Sequence, residues 1–79
     1  MKLTQYNRKL QKILDKLDDL IGTLEEKQNE IEDHAYELNR DMTEKEEERY
    51  NAIEEEIKAI QECMDNIESA QYAIGEFVD

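Results

Sequence analysis

Apolar residues recur along the first half of the chain with the spacing of a long amphipathic helix. Counting in sevens from the third residue gives an unbroken apolar series: Leu3, Leu10, Leu17, Leu24, Ile31 and Leu38. A companion series three residues further on begins apolar and ends polar: Tyr6, Ile13, Leu20, Lys27 and His34. Alternating spacings of three and four are typical of helices that pack as a coiled coil. We therefore predict a first helix over about residues 2–39, with both series facing a second helix.

The second half of the chain repeats this pattern. Its first series is purely isoleucine: Ile53, Ile60, Ile67 and Ile74. Its companion series is mixed: Tyr50, Ile57, Met64, Gln71 and Val78. The spacing predicts a second helix over about residues 44–75.

A helix-start signal separates the two patterns. Thr43 followed by Glu46 is a capping box, in which each side chain hydrogen-bonds the backbone amide of the other residue. The connection left before it, about residues 40–43, is short, so the helices are expected to run antiparallel. A turn centred near Met42 would pair residues whose numbers sum to about 84, such as Leu24 with Ile60. The expected fold is all-α: a single domain over 1–79 folded as an antiparallel two-helix hairpin.

The chain has more apolar residues than one such seam consumes. Five small or apolar residues are predicted to flank the seam: Leu14, Ile21, Cys63, Ala70 and Phe77. A wider apolar stripe is typical of bundles with more than two helices. We therefore expect a homo-oligomer, a four-helix bundle dimer or a larger assembly, with these five residues at the interface.

Charge narrows the classes of partner. The formal net charge is −12, and residues 28–79 hold 17 acids and four bases, whereas residues 1–16 hold five bases and one acid. Such a surface repels nucleic acid and acidic membranes and suits a basic protein surface. The longest apolar runs are two residues, so no membrane span is expected. The start at Met1, without an apolar leader, suggests a complete small cytoplasmic protein.

The chain offers little reactive chemistry. A nucleophilic triad would need Ser69 or Cys63 near His34, and the predicted pairing keeps both several turns from it. A single His with Glu30 and Glu37 does not match a di-iron motif. We expect no enzymatic activity, no metal and no cofactor, with His34 in a polar layer beside Tyr50.

Two polar surfaces remain as candidate sites. The first is an acidic helical surface for a basic partner: Glu47, Glu48, Glu54, Glu55 and Glu56. Its alternative is simply the solvated side of a coiled coil. The second is a site for a phosphorylated small ligand, with Tyr6 stacking and Arg8 or Lys12 pairing with phosphate. Its alternative is charge matching with the acidic end of the second helix.

The stretches "YNRKLQKILDKLDDLIGTLEEKQNEIED" and "LNRDMTEKEEERYNAIEEEIKAIQECMDNIESA" resemble small acidic helical-hairpin proteins of bacteriophages and bacterial mobile elements. Some short acidic phage proteins block host nucleases or repressors, and others sequester nucleotide signals. The resemblance implies a host-directed binding protein and carries no site residues with it. The leading hypothesis is a non-enzymatic inhibitor or adaptor that binds a basic host site through its acidic surface. The alternatives are an oligomeric sponge for a nucleotide and a purely structural scaffold.

Overall fold

The structure, a computed structural model, describes residues 2–77 and forms a long helical hairpin. Helix α1 spans Lys2–Glu37 and helix α2 spans Glu44–Phe77. They pack antiparallel in a body of 58 × 15 × 12 Å. The all-α hairpin is therefore confirmed, and the helix ends lie within two residues of the predicted bounds. Val78, the last residue of the predicted second series, lies outside the described residues.

Helix α1 ends in a motif that the sequence pattern did not reveal. The Arg40 amide donates to the Ala35 carbonyl (3.1 Å) and the Asn39 amide to the Tyr36 carbonyl (2.9 Å). Asn39 adopts a φ of 53°, the left-handed conformation that asparagine tolerates better than most residues. This is a Schellman motif, which satisfies carbonyls left without partners at the helix end. It stops α1 two residues earlier than predicted.

Helix α2 begins with the predicted capping box. The Thr43 amide donates to Glu46 Oε1 (2.8 Å), and the Glu46 amide donates to Thr43 Oγ1 (3.1 Å). Arg40 Nη1 also donates to Glu46 Oε1 at 2.7 Å, forming an ion pair across the connection. Arg40, three residues after the end of α1, is thereby bonded to the first turn of α2.

The core is a narrow seam between the two helices. Ile21, Leu24 and Ile57 form its buried centre, and α2 contributes further half-buried residues, Ile53, Ile60 and Met64. Along α1 the buried apolar residues are Leu14, Ile21, Leu24, Ile31 and Ala35. No side chain among the described residues is completely buried, which agrees with the limited core that two helices can enclose.

The buried stripe on α1 corrects the predicted one. The first series is buried at Leu24 and Ile31 and half-buried at Leu10 and Leu17, but its ends, Leu3 and Leu38, are exposed. The second contributor lies four residues after each member of the series rather than three. Ile21 is 8% exposed, whereas its neighbour Leu20 is 44% exposed. The predicted series Tyr6, Ile13, Leu20, Lys27 and His34 is exposed along its whole length. The observed stripe places Gln28 and Ala35 in the seam instead, and this avoids burying the charge of Lys27.

The pairing of the helices also differs from the prediction. Gln28 Nε2 donates to Glu54 Oε2 (2.9 Å) and to the Tyr50 carbonyl (3.3 Å). These pairs have numbers that sum to 82 and 78, not about 84. The turn is therefore centred near residue 40, because the Schellman motif ends α1 early. Tyr50 consequently meets Gln28 and not His34, which is exposed.

A second polar layer lies near the open end of the hairpin. Gln71 Nε2 donates to Gln11 Oε1 (3.1 Å) and to the Asn7 carbonyl (3.4 Å). With the Gln28 layer it brackets the apolar centre of the seam. Hydrogen-bonded polar layers inside a coiled coil penalise shifted pairings, because a shift leaves the amides without partners.

The corrected stripe can be tested with two neighbouring residues. Replacing Ile21 with Ala should lower the free energy of unfolding by about 2–4 kcal/mol, because the cavity lies in the seam. Leu20→Ala should cost less than about 1 kcal/mol, because Leu20 is largely exposed. Urea unfolding followed by circular dichroism, at the lowest workable protein concentration, measures both. Equal losses, or a larger loss for Leu20, would contradict the observed seam.

The Arg40–Glu46 contact makes stability depend on pH. The Arg40 hydrogen bond, helped by the Thr43 amide, lowers the pKa of the Glu46 carboxyl from 4.5 to about 2. A lowered folded-state pKa adds stability that is fully present above about 4.5 and is lost as pH falls through about 2. The melting temperature of Glu46→Gln should therefore lie below that of the wild type at pH 7, and the difference should vanish by about pH 2. Glu48→Gln, which also removes one exposed acid from α2, is the control and should not show this dependence.

Candidate interaction surfaces

The five predicted acidic residues do not form one surface. Glu54 and Glu56 are two residues apart, so their side chains point about 200° apart around α2. Glu47, Glu48, Glu55 and Glu56 are exposed, but Glu54 is half-buried and accepts the Gln28 hydrogen bond. These five residues are therefore spread around α2, and their role in binding a basic partner stays a prediction.

Acids from both helices instead line one side of the seam, which we call the acidic side. Asp18, Glu25 and Glu32 follow one another at seven-residue spacing on α1. The matching row on α2 contains Glu47, Glu54 and Glu68, with Gln61 between the last two. A shallow groove of about 320 Å³ on this side is lined by Asp18, Ile21, Glu25, Gln61, Met64, Asp65 and Glu68. Sequence reasoning missed the α1 acids, because only the pairing of the helices brings them beside those of α2.

One tyrosine is tied into the acidic side. Tyr50 is half-buried, and its pKa is raised by a hydrogen bond to the Glu32 carboxylate, by the charge of that group and by burial. Tyr50 therefore lies close to the Glu32 carboxylate near the closed end of the hairpin, where its hydroxyl stays protonated.

The three residues predicted to hold a phosphorylated ligand do not converge. Tyr6 is exposed on one side of α1, with Lys9 Nζ lying 5.5 Å from its ring centroid. Arg8 instead lines a separate shallow groove with Thr4, Asn7, Gln11 and Gln71. Neither Tyr6 nor Lys12 contributes to that groove. Tyr6 and Arg8, two residues apart on α1, therefore point to different sides of the helix, and ligand binding by these three residues stays a prediction.

The side of the seam opposite the acidic side carries exposed apolar residues, which we call the apolar edge. Its members are Tyr6, Ile13 and Leu20 on α1, and Cys63, Ala70 and Phe77 on α2. Phe77 is 79% exposed. The prediction placed Leu14 and Ile21 here, but both are buried inside the hairpin and are not free for a second copy. Ile13 and Leu20 are exposed on this edge, where the prediction had placed Leu14 and Ile21.

The apolar edge becomes charged toward the closed end. The same rows continue there through Lys27 and His34 on α1 and Arg49 on α2. These three residues line one groove of about 340 Å³ together with Glu30, Ile31, Glu46 and Ile53. Their presence in one groove shows that the α1 and α2 rows meet on the same side of the seam.

Within residues 2–77, no group of three or more His, Cys, Asp or Glu side chains is arranged to hold a metal ion. Neither described helix combines the length and apolar character required to cross a membrane. Comparisons of the chain with models of known protein families, with curated protein sequences and with solved structures give no match. The surfaces themselves are therefore the basis for inferring a function.

Proposed function

We propose that this hairpin is a non-enzymatic protein-interaction module whose acidic side binds a basic surface on another protein. The supporting observation is the groove in which Asp18 and Glu25 of α1 lie beside Asp65 and Glu68 of α2. In keeping with the phage and mobile-element resemblance, the role is an inhibitor or adaptor acting on a basic host protein in the bacterial cytoplasm.

The physical argument rests on how these acids are held. Residues seven apart on a helix are separated by about 10.5 Å, so the α1 row presents carboxylates at a regular interval, and the α2 row does so except at Gln61. The polar amide layers and the capped turn keep the two rows at fixed levels relative to each other. A preorganised row of charges raises the association rate and selects for opposite charge in a partner. Met64, which is half-buried and lines the groove, adds apolar area for contact.

The proposal is tested by neutralising the groove. We expect the variant Asp18→Asn, Glu25→Gln, Asp65→Asn, Glu68→Gln to lose affinity for captured basic proteins by roughly tenfold or more, because the attractive charges are gone. Tagged hairpins would be incubated with bacterial lysate, and bound proteins would be quantified by mass spectrometry. Wild-type capture should favour basic proteins and weaken between low and moderate salt, because salt screens surface charges.

A matched control neutralises the same numbers of Asp and Glu on the outer surfaces of the helices. The variant Asp19→Asn, Glu26→Gln, Asp33→Asn, Glu62→Gln has the same net charge as the groove variant, and all four residues are exposed. It should keep most of the binding. Equal losses of affinity in the two variants would mean that binding depends on the net charge of the protein and not on the groove. Capture that is indifferent to both variants and to salt would overturn the proposal.

A further inference from the structure

The apolar edge lies within a broad face of the hairpin that has an unusual charge. Each helix contributes two adjacent rows to this face, and every residue in them is exposed. The α1 rows contain Tyr6, Ile13, Leu20, Lys27 and His34, and then Lys9, Lys16, Thr23, Glu30 and Glu37. The α2 rows contain Arg49, Glu56, Cys63, Ala70 and Phe77, and then Lys45, Ala52, Ala59, Asn66 and Ala73. We call these twenty residues the acid-poor face.

The acid-poor face departs strongly from the rest of the molecule. It has five bases and three acids, for a net charge of +2. Because the whole chain carries −12, the remaining residues carry −14. Two copies of such an acidic protein repel each other least when these faces meet, because the acids then lie furthest from the other copy. It also carries the apolar residues Ile13, Leu20 and Phe77, together with small residues that allow close approach.

We propose that a second copy of this chain binds the acid-poor face, giving a four-helix bundle with its two-fold axis along the length of the hairpin. Rotation about this axis leaves each residue at its own level and sets α1 of one copy against α2 of the other. Within the hairpin, paired residues have numbers that sum to between 78 and 82, so Cys63 lies within one turn of the level of Leu20, and Ala70 within one turn of the level of Ile13. Across the dimer each large residue therefore lies within one turn of a small one, and such an alternation favours close packing.

Charges at the closed end match in the same arrangement. Lys27 and Glu56 lie within one turn of the same level, so each lysine can reach Glu56 of the other copy, and this happens twice by symmetry. Within residues 2–77 of one chain, the close ion pairs are Arg40–Glu46 and Glu55–Lys58, so Lys27 and Glu56 are both available. A two-fold axis running across the hairpin would instead set α1 against α1 and leave these charges unmatched.

The area of the face is sufficient for a stable dimer. A face of 58 × 15 Å offers roughly 900 Å² per copy, close to the ~800 Å² per partner of a standard interface. An arrangement that overlapped only the apolar half would offer about half of that area. The proposed dimer buries the apolar edge and leaves the acidic side exposed, so it is compatible with the proposed function but does not depend on it.

The dimer is tested by sedimentation equilibrium of the full chain over a range of concentrations. The wild type should be a dimer at about 50 µM, and Leu20→Glu should raise the dissociation constant roughly 100-fold or more. Tyr36→Glu is the matched control, because Tyr36 is an exposed apolar residue on α1 outside the acid-poor face. It should remain a dimer. A wild type that stays monomeric up to about 1 mM, a trimer or larger assembly, or a dimer indifferent to Leu20→Glu would overturn the proposal.

Charge reversal tests the orientation of the two copies. Lys27→Glu or Glu56→Lys alone should weaken the dimer roughly tenfold, since two attractive pairs become repulsive. The double variant should restore the wild-type dissociation constant to within a few-fold. A double variant as weak as the single ones would exclude the axis along the hairpin.

A measurement on the unaltered chain guards against variants that fail to fold. Cys63 is exposed in the single hairpin and would be covered in the dimer. Its rate of reaction with a water-soluble thiol reagent should fall as protein concentration rises. Added salt should not restore the rate, because it screens repulsion between two acidic chains. A reaction rate that does not depend on protein concentration would overturn the dimer. The proposed binding of a basic partner through the acidic side is tested independently, by the groove variant and by salt.

Discussion

The contact between Arg40 and Glu46 is the constraint on which the arrangement of this molecule depends. It joins Arg40, three residues after the end of α1, to the first turn of α2 through a 2.7 Å ion pair, while the capping box fixes where α2 begins. Because a helical rod transmits rotation along its length, the geometry at the turn decides which residues face each other many turns away. The position of the turn therefore determines the composition of both sides of the seam.

The consequence of that pairing is a hairpin with two unlike sides. On one side, carboxylates of α1 and α2 lie around a shared groove. On the other, Ile13, Leu20 and Phe77 are exposed among lysines and small residues. A protein of net charge −12 that concentrates its acids away from one apolar face keeps that face free for contact. The two proposals assign one side to a basic protein and the other to a second copy.

The narrow core gives the second copy a physical role. Small domains with one core reach only about 3–5 kcal/mol of stability, and two helices enclose less than a bundle does. Burying the apolar edge against its symmetry mate would add a second core without disturbing the amide layers at Gln28 and Gln71. The acidic side would then be displayed twice, on opposite flanks of a stiffer body. Two equivalent sites favour avidity toward a partner that presents more than one basic patch.

The sequence alone determined the helices, their approximate ends and the antiparallel hairpin, because heptad spacing and the Thr43–Glu46 capping box are local signals. It could not choose between two apolar stripes on α1, since Ile13 and Leu14, and Leu20 and Ile21, are equally apolar neighbours. Only the tertiary structure decided this, because burying Gln28 and Ala35 costs less than burying Lys27 and His34. The same choice moved the predicted interface residues Leu14 and Ile21 into the seam. It also brought the α1 acids beside those of α2. The turn decides which residues of the two helices meet, and the periodic pattern of the sequence does not reveal the left-handed Asn39 that ends α1.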